Sequence, residues 1–397
     1  MNPHRRSHAR PVALALALLA AAPAAPALAD GGECGAAGAS RLLASMPVSQ
    51  PAFPPTGPTY PEGTAVLDHR VILSGPATFG TAGNGSPSQL TVFDRHSGAL
   101  LAQVPIVGEN LAFEHAQSEL FAFRNFVYSP NTQLGLLRWQ LPGDAAPIQE
   151  SVSTPFCSVT GGFPCHLESD RCPGDVRPGL PPLPNGVTVD EDGTSYVTDS
   201  LQGIVWKIAP AGNGPTVPEV LFCSRALQGA GNEGLTLFGA NGIAVDGGSV
   251  YVSVTFGPFA ATGPTSVVYR LDKQSPGTLT AIYTYQPVEV APGIFAPPIA
   301  DGLRFNPKNG HLFVVLGGQN QISELELGCG QATEVRRLSR GGADHPFLNP
   351  STIAFSPNGD TAYVSNHAIT CCLPGDPNPG CTCTSAQDLF GVIELCL

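Results

Sequence analysis

The sequence predicts an all-β protein: a six-bladed β-propeller with four-stranded blades, closed by an N-terminal strand that completes the last blade. Three observations carry this expectation. One phrase recurs six times: a polar residue, a short apolar alternation, a turn, then a second β-rich run. A third short β-rich run follows every copy and a fourth follows five of them, which is the make-up of a propeller blade. With 46 Gly and 40 Pro, the chain turns too often for long helices.

The copies begin at Glu62 (EGTAVLDHRVILSG), Glu109 (ENLAFEHAQSELFAF), Asn185 (NGVTVDEDGTSYVTD), Asn241 (NGIAVDGGSVYVSV), Asp301 (DGLRFNPKNGHLFVV) and Ser351 (STIAFSPNGDTAYVSN). Their spacings are 47, 76, 56, 60 and 50 residues, the longest containing a Cys/Pro-rich insertion at about 153–184. Third strands are expected at 89–93, 134–140, 203–208, 266–271, 321–327 and 391–397. Fourth strands are expected at 102–106, 148–152, 219–222, 280–285 and 333–338. All are short, β-branched or aromatic runs, and DEDG, DGG, PKNG and SPNG supply hairpin turns. The sixth copy ends at Leu397 after three strands, so 41–46 is the expected fourth. Pairing the chain ends this way removes an exposed sheet edge.

Ahead of this domain, Arg5, Arg6 and Arg10 precede an Ala/Leu-rich run and a small-residue Ala27-Leu28-Ala29 pattern, which marks 1–29 as an export signal and 30–397 as the propeller domain. A secreted or periplasmic location follows as an expectation. No other stretch approaches the roughly 18–20 apolar residues of a membrane span. A content of 42% hydrophobic and 13% charged residues excludes whole-chain disorder. The net charge of −12 and the lack of basic patches exclude nucleic acid as a partner. A small-molecule substrate is expected instead, and nothing in the sequence sets an oligomeric state.

Eleven cysteines in an exported chain are expected to form disulfides, with an odd one left over. Strand direction alternates within a blade, so loops entering the first strand and leaving the second share one face. Eight cysteines, Cys157, Cys165, Cys172, Cys223, Cys371, Cys372, Cys381 and Cys383, fall on the face of the lead residues. Cys34, Cys329 and Cys396 fall on or near the other. The unpaired thiol is expected in that group of three, with Cys34 and Cys396 stapling the closing strand.

On the same parity, the lead residues Glu62, Glu109, Asn185, Asn241, Asp301 and Ser351 converge at one mouth of the central channel. Asn-Gly and Asp-Gly are common turn dipeptides, but acids and amides at five of six equivalent positions need a further reason. A hard divalent cation supplies it, since calcium takes six to eight oxygen ligands. The column holds no His or Cys, which argues against zinc or copper.

PEG at 61–63, PNG at 184–186, ANG at 240–242 and ADG at 300–302, each followed by apolar alternation, resemble the SMP-30/gluconolactonase/LRE family over most of the chain. That resemblance implies a six-bladed propeller that binds Ca2+ or another divalent cation in its channel and hydrolyses lactones. It implies that Glu62, Asn241 and Asp301 are metal ligands, with Asn185 a ligand or a contact to water and substrate. It also implies Asp301 as a general base. Glu109 stands outside the family's pattern and is an extra ligand, an alternative base or a structural acid. His367 ends a second strand and points toward the site as a candidate substrate contact. Arg304 either binds an anionic substrate or forms a structural ion pair. The Cys-rich insertion and a second loop at about 367–389 overhang the site, and such loops set specificity. Two other propeller functions compete with hydrolysis: an NHL-like binding module without catalysis, and a strictosidine synthase-like condensing enzyme.

Overall fold

Six four-stranded antiparallel sheets follow one another along the chain, each with its first strand innermost. The structure is a computed structural model that describes residues 39–46, 61–75, 86–113, 115–142, 147–156, 177, 180–212, 214–339, 347–367 and 391–397. The predicted export signal, most of the Cys/Pro-rich insertion and nearly all of the second Cys-rich loop lie outside these residues. Blade 1 comprises Thr64–Leu67, Arg70–Gly75, Gln89–Asp94 and Leu100–Pro105; blade 3 comprises Pro184–Val189, Ser195–Asp199, Ile204–Ile208 and Glu219–Cys223. Blade 4 has Ala240–Asp246, Ser249–Val254, Ser266–Asp272 and Leu279–Tyr285, and blade 5 has Ala300–Phe305, Leu312–Leu316, Gln321–Leu327 and Ala332–Ser339. Blade 6 combines Pro350–Phe355, Thr361–Asn366 and Gly391–Cys396 with the N-terminal strand Ser40–Ser45.

That last pairing is the predicted closure. Ser40 stands opposite Leu395 and Arg41 opposite Glu394, and the Arg41 guanidinium meets the Glu394 carboxylate at 2.6 Å. The expected hairpin turns also form. Gly193 and Gly359 take positive φ, 91° and 73°, where a side chain would be strained. Among the described residues the only helices are three short 3-10 turns, and none is long and apolar enough to cross a membrane.

Blade 2 differs from the expectation. Its strands are Phe121–Phe123, Phe126–Asn131, Gly135–Gln140 and Ile148–Ser151. The predicted first strand, from Glu109, is instead a turn in which the Phe113 N–H reaches the Asn110 carbonyl at 3.1 Å. The predicted second strand is therefore the innermost one. Two features hid this arrangement. The hairpin turns at Arg124-Asn125, with Arg124 at φ 55° and no Gly or Asp to announce it. Pro130, which normally argues against a strand, lies in the second strand.

The apolar core is layered between blades rather than gathered in one place. Ile72, Leu120 and Trp139 fill the space between blades 1 and 2; Val187, Val197 and Trp206 belong to the next layer. Ile243 and Val252, then Leu303 and Val314, then Phe313, Ile353 and Ile393 continue the series to blade 6. Each such fully buried side chain contributes about 1.5–3 kcal/mol of burial free energy. Because the layers hold blade against blade, they also fix how the six inner strands face the channel.

Cys223 and Cys396 are disulfide-bonded, and Cys329 is a free, exposed thiol. The predicted pairing of Cys34 with Cys396 lies outside the described residues.

Candidate functional site

The same irregularity opens four inner strands. Register slips between Pro184 and Val187, Ala240 and Ile243, Ala300 and Leu303, and Pro350 and Ile353. A bulge of this kind re-aims the side chain it contains, and here it contains Asn185, Asn241, Asp301 and Ser351. The glycines that follow the lead residues answer to the neighbouring blade. A Cβ on Gly242 would lie 2.6 Å from the Asp301 carbonyl oxygen, and one on Gly302 would lie 2.9 Å from Thr352 Cα. One on Gly63 would lie 2.5 Å from the Leu120 nitrogen. The repeated Asn-Gly and Asp-Gly dipeptides are thus sites of close backbone approach inside the ring, not turns.

Hydroxyls in or beside the inner strands stitch the ring together. Ser74 donates to the Ser118 carbonyl at 2.5 Å, Ser118 to Pro184 at 2.9 Å, Ser200 to Ala240 at 2.7 Å and Thr255 to Ala300 at 2.9 Å. Ser365 donates to the Glu62 carbonyl at 2.9 Å and joins blade 6 to blade 1. Ser351, a predicted lead residue, belongs to this belt: its Oγ lies 2.8 Å from both the Glu62 carbonyl oxygen and Ser365 Oγ.

Two of these hydroxyls also orient the amides. Asn185 Nδ2 donates to Ser200 Oγ at 3.0 Å and Asn241 Nδ2 to Thr255 Oγ1 at 2.9 Å. Fixing the amide nitrogens leaves the side-chain oxygens available. Asn185 Oδ1 is buried without a hydrogen-bond partner, and so is Asp301 Oδ1. Burial, reinforced by the Glu62 and Glu119 carboxylates, holds the Asp301 carboxyl well above its ordinary range. Burial and then Glu119 push Glu62 up to about 8. Desolvation and like charge both disfavour ionisation here.

Glu119 is the residue that sequence reasoning missed. It takes the place in blade 2 that was assigned to Glu109. It is 1% exposed, and burial pushes it up to about 7 against the opposing effect of Arg304. Its N–H donates to the Asn185 carbonyl at 3.3 Å and its Oε2 accepts from the Val187 N–H at 3.2 Å, so it straddles the bulge that aims Asn185. Glu109 accepts from the Ser88 N–H and from Asn131 Nδ2, both at 2.7 Å. Of the three roles expected of it, these contacts are those of a structural acid in the link between blades 1 and 2. A signal for Glu119 existed in the spacing: starting blade 2 there changes 47 and 76 to 57 and 66, closer to the rest. Leu120, standing where four other copies carry Gly, concealed the match.

Arg304 crosses the channel. From blade 5 its guanidinium donates to the Leu120 carbonyl at 2.6 Å and the Ile243 carbonyl at 2.9 Å, and meets Glu119 Oε1 at 3.1 Å. It also lies over the Phe121 ring, 4.8 Å from the centroid. Of its two predicted roles, the structural ion pair is the one formed. On its other side opens a cavity of about 500 Å³ walled by Phe121, Phe123 and Phe305 and rimmed by Asp190, Glu191 and Asp192. His367 Nδ1 lies 3.9 Å from Glu62 Oε2, and burial holds its imidazole down at about 4, neutral at pH 7.

The donor set of Glu62, Asn185, Asn241 and Asp301 fits a hard cation: every donor is oxygen, and two of the oxygens are buried and unpartnered. Among the described residues no three His, Cys, Asp or Glu side chains converge as metal ligands. The set depends instead on two carboxylates and two amides. Of the Glu62, Glu119 and Asp301 carboxylates, Glu119 is the one that meets the Arg304 guanidinium, at 3.1 Å.

No protein-family model matches the chain, and no curated protein matches it. Solved structures do. Regucalcin from Agrobacterium tumefaciens, described as a calcium-binding protein, is 14% identical over 90% of this chain and 93% of its own, with a TM-score of 0.50. Luciferin-regenerating enzyme is 13% identical over 85% and 91%, TM-score 0.49. Virginiamycin B lyase from Staphylococcus aureus is 13% identical over 79% of each chain, TM-score 0.42. The regucalcin likeness shows a shared fold; the other two overlaps, below 0.5, bear on nothing further. The class that fold and site define is a six-bladed propeller with an acidic, amide-lined channel mouth.

Proposed function

We propose that this chain is an exported, divalent-cation-dependent hydrolase of carboxylic esters, with lactones as the expected substrates. The observation that carries the reading is that the inner-strand bulges of blades 3 and 5 hold Asn185 and Asp301 with a buried, unpartnered oxygen on each side chain. Acids buried this close together are costly without a counter-charge. Glu62, Asn185, Asn241 and Asp301 would hold the cation, and the calcium-binding description of regucalcin makes calcium the first to test. When bound, such a cation supplies Lewis-acid polarisation of an ester carbonyl and a lowered pKa for water.

The protein's own groups do the rest. Ser200 and Thr255 accept from the Asn185 and Asn241 amide nitrogens, which fixes both side chains and leaves the Asn185 oxygen buried and unpartnered. Asp301 is the carboxylate for taking a proton from water, since its strand bulge places it in the column with Oδ1 unpartnered. His367, neutral and beside Glu62, is placed to contact the substrate. Arg304 closes the channel below, so substrate reaches the column from one mouth.

The test is hydrolysis of a panel of lactones and aryl esters before and after chelation, with metal content measured in parallel. Activity that falls with chelator and returns with calcium is expected. Absence of turnover together with negligible bound metal refutes the proposal.

A further inference from the structure

The inner strands of blades 2 to 5 run from the column to the opposite mouth of the channel, where they end at Phe123, Val189, Asp246 and Phe305. The cavity of about 500 Å³ opens between these ends, in the size range of sites that take small organic ligands. Its deep end is Arg304, which is 7% exposed and stands between the cavity and the column. The terminal nitrogens of Arg304 reach the Leu120, Ile243 and Leu303 carbonyls and Glu119, and Nε has no acceptor among the described residues. One N–H is left there for a polar group of a ligand. Phe121, Phe123 and Phe305 give the cavity its apolar wall. The fold already seats a guanidinium on two of these rings, Arg304 over Phe121 and Arg124 over Phe123, each 4.8 Å from the centroid. Among the described residues no cation lies over Phe305, whose ring meets Tyr251 edge-on at 5.3 Å. Around the mouth stand the carboxylates of Asp190, Glu191, Asp192 and Asp246. Lys273 pairs with Asp190, Arg124 donates to the Glu191 carbonyl at 3.1 Å, and Asp192 accepts from the Thr194 N–H at 2.8 Å within its own turn. The Glu191 and Asp246 carboxylates are exposed and make no hydrogen bond or ion pair with a described residue.

We propose that this mouth is a second binding site, for a small organic cation: an ammonium group held by Glu191, Asp246 and the face of Phe305, on an aromatic-sized apolar body whose far end is polar and meets Arg304. The ring face and the two carboxylates act on the same charge, since a phenyl quadrupole and an acid both attract an ammonium. An anionic head would meet only like charge at the rim. The phenyl walls select for an apolar body, because burying it against them removes apolar surface from water. The site is separate from the cation column, which lies beyond Arg304, and it needs no bound metal.

Calorimetric titration of the full chain at neutral pH, with chelator present, uses three probes that share one phenol body: tyramine with an ammonium head, tyrosol with a neutral alcohol and phloretate with a carboxylate. Tyramine is expected to bind roughly fivefold or more tighter than tyrosol, and phloretate to bind weakest. E191Q/D246N removes two exposed charges that hold nothing in the fold. It is expected to weaken tyramine roughly threefold or more and to leave tyrosol unchanged. F305L keeps apolar bulk but removes the ring face, and is expected to weaken tyramine about two- to fivefold. Should F305L fail to fold by circular dichroism, E191Q/D246N still decides. Tyramine binding no tighter than tyrosol overturns the proposal. So does E191Q/D246N binding tyramine like the wild type, because the amine then sits elsewhere, the acidic column included. Neither outcome touches the hydrolase reading, which is tested by chelation and turnover, and a chain without metal or turnover still binds tyramine if this site is real.

Discussion

Replacing Gly242 by alanine tests whether the glycines after the lead residues are demanded by the ring. The new Cβ would lie 2.6 Å from the Asp301 carbonyl oxygen, 2.7 Å from Gly302 Cα and 2.7 Å from the Leu303 nitrogen, where ordinary contact begins at 3.4 Å. All three are backbone atoms, so no side chain can swing aside and the junction of blades 4 and 5 must open. Overpacking of this kind costs about 1–3 kcal/mol, and rigid neighbours put it at the upper end. Gly248, in the turn of the same hairpin, is the control: nothing lies within 4 Å of its added Cβ and its φ is not positive. Gly248→Ala is expected to be neutral or to stabilise by about 0.4–1 kcal/mol through the unfolded state. Urea and thermal unfolding of both variants should therefore differ by roughly 1.5–4 kcal/mol, with Gly242→Ala the weaker. Calcium affinity should fall in Gly242→Ala as well, because Asn241 and Asp301 move apart. A Gly242→Ala protein as stable as Gly248→Ala would show that the close approach does not shape the ring.

Glu109→Ala should cost about 1–3 kcal/mol of stability, because the Ser88 N–H and the Asn131 amide lose their acceptor, while calcium titration stays at the wild-type value. A large loss of calcium affinity would return Glu109 to the site. Asp199 offers a pH test. It is fully buried, accepts from the Leu183, Leu201 and Gln202 amides, and burial raises it to about 6. A carboxyl raised in the folded state binds its proton more tightly there than when unfolded. Its contribution is therefore present at low pH and is lost as pH rises through about 6, on the order of 3 kcal/mol in all. Asp199→Asn should flatten the decline in stability between pH 4 and 7 relative to the wild type, measured by urea unfolding. Parallel curves for the two proteins would refute the assignment.

Architecture was legible in the chain because hairpin repeats write themselves locally. Alternation of apolar residues, short turns and a period near fifty to sixty residues are all properties of contiguous sequence. The closing strand followed from counting, since one blade lacked a strand and one β-rich run was unused. Four of the column residues, Glu62, Asn185, Asn241 and Asp301, followed from the same repeat. Blade 2 was misaligned because its cues were weak: Leu120 replaces the expected Gly, the positive-φ turn position is Arg124 rather than Gly or Asn, and Pro130 lies in a strand.

What the sequence by itself determined was the number of blades, their order and the acidic and amide character of one channel mouth. Each of these depends on residues a few positions apart. Only the tertiary structure decided that Glu119 rather than Glu109 stands in the column, and that Arg304 spans the channel to meet it. It alone also decided that the glycines answer to neighbouring backbones and that Ser351 and Ser365 close the ring on Glu62. Those contacts join residues up to 303 positions apart, as from Ser365 to Glu62. Burial and Coulomb interaction depend on distance in space, and no local pattern along the chain encodes which charges will share one dry channel.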